Sequence, residues 1–131
     1  MKRIPSELVY LLAPETRAFA YLATTMDDGS PQVTPVWFEA DDEHIIINTA
    51  KGRVKDRNMR VRPKVALVIP DPKNTYRYVQ IRGRVDAILE EGAAEQFDSV
   101  AVAYTGECFS YPSDQIRVIF KIIPEAIGTH S

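Results

Sequence analysis

Six runs of β-branched and aromatic residues follow one another in this chain, and three of the links between them are only three to six residues long. A parallel crossover needs about a dozen residues or more, so runs joined this tightly must pair antiparallel. A small antiparallel sheet has two unpaired edges, and closing into a barrel is the simplest way to remove them. The expectation is therefore a mainly β protein with short helices, an antiparallel barrel of about six strands. With 131 residues, there is room for one core and no second one. The whole chain, 1–131, reads as a single domain.

The runs are Arg17–Thr25, Gln32–Ala40, His44–Thr49, Lys64–Ile69, Tyr76–Leu89 and Gln115–Ile123. Asp27-Asp28-Gly29-Ser30 has the residues of a hairpin turn, Asp41-Asp42-Glu43 makes the next, and Pro70–Asn74 is a loop by composition. Helical spacing occurs over Ser6–Leu12, between Pro5 and Pro14, and over Glu91–Tyr104. Pro124 is expected to stop the last strand and Thr129–Ser131 to fray. Gly83 marks a bulge or a close backbone approach within the long Tyr76–Leu89 run.

Two features depart from ordinary sheet patterning. In Gln32–Ala40 neither alternating face is plainly polar, and Pro35 cannot donate to a ladder, so this strand is expected at an edge or beside a ligand or second subunit. The second feature is the stretch after His44–Thr49. Ala50-Lys51-Gly52 leads into a helix ended by Pro63, and the fourteen positions from 51 to 64 hold seven basic residues against the single acid Asp56. That segment carries +6 in a chain of net charge −2, leaving −8 on the rest. Cations at a helix N-terminus oppose the positive dipole end unless an anion shares the site. Arg53 and Lys55 are thus candidates for a phosphate, Arg53 as a fork and Lys55 as a point charge. Val54, Asn58 and Val61, with Met59, are expected to face the sheet.

Other chemistry is disfavoured. The two histidines, His44 and His130, lie 86 positions apart without a motif, so no metal site is expected. Cys108 lacks a basic neighbour, excludes an internal disulfide, and suits the cytoplasm. Phosphate-loop and dinucleotide fingerprints are absent, as is any apolar run of the ~20 residues needed to span a membrane. Tyr76-Arg77-Tyr78 and Arg82-Gly83-Arg84 would suit single-stranded nucleic acid, but the net charge is negative and the cations concentrate in one segment. Any catalysis would draw on a borrowed cofactor.

The linked segments DGSPQVTPVWF, INTAKGRVKDRN and YRYVQIRGRV, within Leu22–Val85, resemble the split-barrel family of pyridoxamine 5′-phosphate oxidase. Within it the branch using the deazaflavin coenzyme F-420 is the nearer match. The resemblance implies a split β-barrel homodimer with cofactor sites at the interface, binding F-420 as first choice or FMN. It places Arg53, Lys55 and Asn58 in the phosphate segment, with Thr49 and Ala50 at its entrance. Pro35, Val36 and Trp37 would lie along the ring, and Arg77 and Tyr78 would complete the pocket from the other subunit. It implies a cytoplasmic reductase moving hydride to a small unsaturated or heterocyclic molecule. The side chains that recognise pyridoxamine phosphate are not evident. A non-catalytic carrier of flavin, deazaflavin or tetrapyrrole is the alternative, and no residue stands out as a proton donor.

Overall fold

The computed structural model describes residue 1 and residues 3–131. Seven strands make one antiparallel sheet: β1 (Ala20–Thr25), β2 (Pro31–Val36), β3 (Glu39–Ala40), β4 (Ile45–Ala50), β5 (Lys64–Asp71), β6 (Asn74–Leu89) and β7 (Arg117–His130). Their order is β2-β1-β5-β6-β7-β4-β3. Two α-helices, α1 (Val54–Val61) and α2 (Ala93–Thr105), pack on it, and 3-10 turns cover Ser6–Leu12 and Pro14–Thr16.

The long strands set the curvature. A β6 of 16 residues would extend about 50 Å if straight, further than one small core can cover. It bends at register shifts between Arg82 and Gly83 and between Val85 and Ala87. At the first, Gly83 lies so close to β7 that a Cβ there would stand 2.4 Å from the Ile123 carbonyl oxygen. The expected close approach is thus real. Inside the curl, Leu22, Ile47, Leu67, Ile81, Phe120 and Ile122 form the core, and Leu8 and Leu11 plug one end.

Several local expectations are corrected. The Gln32–Ala40 run is two strands, interrupted at Trp37-Phe38, which makes seven strands instead of six. β2 and β3 stand at opposite edges of the sheet although only two residues separate them. The chain therefore crosses the opening of the barrel at Trp37-Phe38 without a ladder bond between its edges, and this is the split. Pro35 does sit on an edge strand, with no neighbour to receive the N–H it lacks.

Pro124 does not end β7. It pairs with Gly83 at the register shift, where the ladder is already interrupted, and the strand continues until His130 pairs with Tyr78. His130 stacks on Tyr78 at 5.8 Å, so the tail is held. Helix α1 also turns differently from its apolar pattern: Asp56, Asn58 and Met59 are buried, while Val61 is 70% exposed. Asp56 is drawn inward because it accepts the Gly52 N–H and the Arg60 Nε–H, each at 2.9 Å. A carboxylate three residues into a helix and reaching back to the preceding turn is a capping arrangement. No described helix is long and apolar enough to cross a membrane.

A cationic cleft at the split

The opening between the sheet edges is bounded by the end of β2, the end of β4, the first turn of α1 and one face of α2. It forms a cleft of about 160 Å³. Pro35, Val36 and Trp37 line it together with Thr49, Arg53 and Lys55. Six of the ten residues expected in a site therefore meet in one place.

The other four do not line it. Ala50 is buried beside Thr49. Asn58 turns away, donating to the Thr24 hydroxyl at 3.0 Å and accepting from Arg62. Arg77 lies over the Tyr10 ring and donates to the Glu7 carbonyl, and Tyr78 stacks on His130. Both lie on the part of β6 that packs near the N-terminal 3-10 turn.

Three of the seven cations of the basic segment are paired with carboxylates within the fold. Lys51 pairs with Glu90 at 2.9 Å, Arg60 with Asp56 at 2.9 Å and Arg62 with Asp27 at 2.9 Å. Arg57 caps the Gly52 carbonyl. Arg53, Lys55, Arg57 and Lys64 have no carboxylate partner among the described residues, and of these Arg53 and Lys55 line the cleft. Burial, followed by the charges of Arg53 and Arg117, pushes the Lys55 ammonium below its ordinary value. The cleft lining contains no carboxylate, histidine or thiol.

Arg117 is the member that sequence reasoning missed. It opens β7, is 7% exposed, and lines the same cleft. Its Nε donates to the Asn48 Oδ1 at 2.9 Å and its Nη1 to the Gln115 Oε1 at 2.8 Å, both neutral acceptors. Its guanidinium lies 4.0 Å from the Phe97 ring centroid. The sequence signal was a cation heading a strand directly before the apolar run Val118–Phe120. Recognising it required knowing that α2 folds back over β4 and β7.

The ring wall is firmly held. Trp37 stacks on Tyr104 at 5.3 Å and 16°, and Phe109 meets its edge at 5.2 Å. The Tyr104 hydroxyl donates to the Ala18 carbonyl and accepts the Phe38 N–H at 3.4 Å, which satisfies the backbone where the strand breaks. Burial pushes this phenol up to about 12.

Three enclosed side-chain atoms lack a hydrogen-bond partner, the Thr34 hydroxyl, the Arg77 Nε and the Thr49 hydroxyl, and only Thr49 belongs to the cleft lining. The Thr49 hydroxyl is enclosed, in a residue only 1% exposed, and has no hydrogen-bond partner. A buried polar group left unpaired is costly and is usually explained by a missing partner. Together with three uncompensated cations, it fits an anionic oxygen-rich group such as a phosphate. Wider grooves on the outer sheet face, about 400 and 290 Å³, lack such convergent charge, and Glu125 lines the larger one.

An antiparallel sheet curled into an open barrel, with a cationic cleft at its split, defines this molecule as a split-barrel protein. The chain belongs to the pyridoxamine 5′-phosphate oxidase family, whose model matches residues 6–131. It is similar to an F-420 reductase of known structure, at 33% identity over 95% of this chain and 98% of that one, with a TM-score of 0.85. A conserved hypothetical protein from Mycobacterium tuberculosis shares the fold at 23% identity, covering 98% and 85% of the two chains, with a TM-score of 0.76. General stress protein 26 from Bacillus anthracis does so at 19% identity, 92% and 91% coverage and a TM-score of 0.68. No curated protein matches.

Proposed function

We propose that this protein is a cytoplasmic oxidoreductase that binds coenzyme F-420, or alternatively FMN, in the cleft at the split and serves hydride transfer to a small unsaturated or heterocyclic molecule. The observation that carries this reading is that Arg53, Lys55 and Arg117 line one cleft with Pro35–Trp37, beside Thr49 with its unpaired hydroxyl. The 33% identity to an F-420 reductase supports the deazaflavin as first choice. Arg53 and Lys55 would hold the phosphate and Pro35 to Trp37 the ring. The bound cofactor supplies the hydride chemistry. The chain contributes binding, orientation and exclusion of water by the Trp37, Tyr104 and Phe109 cluster.

The site is completed by a second copy of the chain. At about 160 Å³ the cleft is smaller than the roughly 300 Å³ at which small-molecule sites begin. The outward face of β2, β1 and β5 exposes Tyr21, Val33 and, more partly, Ala66 and Val68, an apolar surface for a homodimer. Pro35 belongs to that face and also lines the cleft, so a partner seated there adjoins the site. Tyr78 shares the outward side of β6 with Gln80, whereas Arg77 is occupied by Glu7, so Tyr78 is the better candidate to reach the partner's cleft. Val33→Glu is expected to give monomers in sedimentation and to weaken cofactor binding.

Trp37 is the sole tryptophan, so its fluorescence reports binding directly. Titration with F-420 and with FMN should quench it. The double variant Arg53→Gln, Lys55→Gln should lose about a hundredfold or more in affinity, since a charge-assisted hydrogen bond is worth roughly 1.5–3 kcal/mol. An unchanged affinity in a folded variant refutes the assignment. A carrier is the second reading, favoured by a lining without carboxylate, histidine or thiol for proton transfer. A tight complex that turns over none of a panel of acceptors supports it.

A further inference from the structure

Arg117 poses a problem that the helix terminus does not solve. It is 93% buried by its 7% exposure, it keeps a full charge, and both of its hydrogen-bonded acceptors are neutral amides. A buried charge without a counter-charge is strongly unfavourable. The Phe97 face at 4.0 Å offsets part of that cost, but Arg53 adds repulsion from the same cleft. Asn48, held in turn by donation to the Ala93 carbonyl and to Gln96, fixes the orientation of the guanidinium. The fork is therefore built and aimed rather than left loose.

We propose that Arg117 forms a second acid-binding subsite in the cleft, on the α2 side, which takes an anionic oxygen of the ligand beyond the one held by Arg53 and Lys55. The cleft then selects molecules bringing at least two negative charges, either as one doubly charged phosphate or as a phosphodiester with a separate carboxylate. This rests on the proposed binding of an anionic cofactor there and adds the residue that reads its further charge. Asn48 is a positioning residue in this scheme.

The test compares F-420, FMN and phosphate-free riboflavin by calorimetry on the wild-type protein and on Arg117→Gln and Arg117→Lys. Arg117→Gln is expected to weaken the two anionic ligands by about tenfold to a hundredfold while leaving riboflavin unchanged. Arg117→Lys keeps charge without the fork and should fall between. If the glutamine variant does not fold, the lysine variant decides, because a loss in the anionic ligands alone is still expected. An unchanged ratio of anionic to neutral affinity in a folded variant overturns the subsite while leaving the cofactor reading intact. Failure of the wild-type protein to bind either anionic ligand overturns both.

Discussion

Replacing Thr49 by valine separates the cost of an unpaired group from its use. The side chain keeps its branched shape and loses the hydroxyl that lacks a partner within the fold. An unsatisfied buried polar group costs about 1–3 kcal/mol, so Thr49→Val should stabilise the ligand-free protein by up to that amount. For a chain of this size each kcal/mol moves the melting temperature by roughly 3–5 °C, and the expected rise is therefore several degrees. If the hydroxyl serves the ligand, the same change should weaken anion binding by about tenfold, the worth of one hydrogen bond to a charged group. Melting followed by far-ultraviolet circular dichroism, and affinity by Trp37 quenching, give the two signs independently. A variant that melts lower and binds F-420 and FMN as tightly as before refutes the reasoning.

Gly83→Ala puts a methyl group 2.4 Å from the Ile123 carbonyl and should destabilise by about 1–3 kcal/mol or more, seen in the urea midpoint. Tyr104→Phe removes the donor to the Ala18 carbonyl and the acceptor of the Phe38 N–H, with an expected loss of about 1–3 kcal/mol and a red shift of Trp37 emission as its stacking loosens. In the wild type, absorbance at alkaline pH should show one tyrosine that ionises only near about 12. Lys55 gives a pH signature. Its folded value lies below its unfolded one, so its charge disfavours folding at neutral pH, and that penalty vanishes as pH rises through the folded value towards the unfolded one. Wild type should therefore gain stability relative to Lys55→Gln over that alkaline window, while its affinity for an anionic ligand falls as the ammonium deprotonates. Parallel pH–melting profiles for the two proteins would contradict this.

The segment with seven cations illustrates what local sequence conveys. Its charge excess and its place at a helix start pointed to an anion at Arg53 and Lys55, and those two line the cleft without a carboxylate partner among the described residues. Arg60 pairs one helical turn back with Asp56, but the partners of Lys51 and Arg62 were not legible, because Glu90 and Asp27 come from distant turns. Asn58 followed the helical period correctly to a buried position, yet the period does not say whether that side meets the cleft or Thr24.

Turn length, alternation and the proline at position 35 are local properties, and they sufficed for an antiparallel barrel with β2 at an edge. Pro124 misled, because a proline breaks a ladder only where a bond is required, and the register shift beside Gly83 had removed that requirement. Which edge faces which, and hence the Trp37-Phe38 crossing, depends on how far β6 and β7 bend. Arg117 entered the site only because α2 and β7 brought it against Phe97, 20 residues away in sequence. By itself the sequence determined strand pairing sense, the helix-borne cations and the family. The tertiary structure decided which charges remain unpaired, because compensation is settled by contacts between segments that no short window contains.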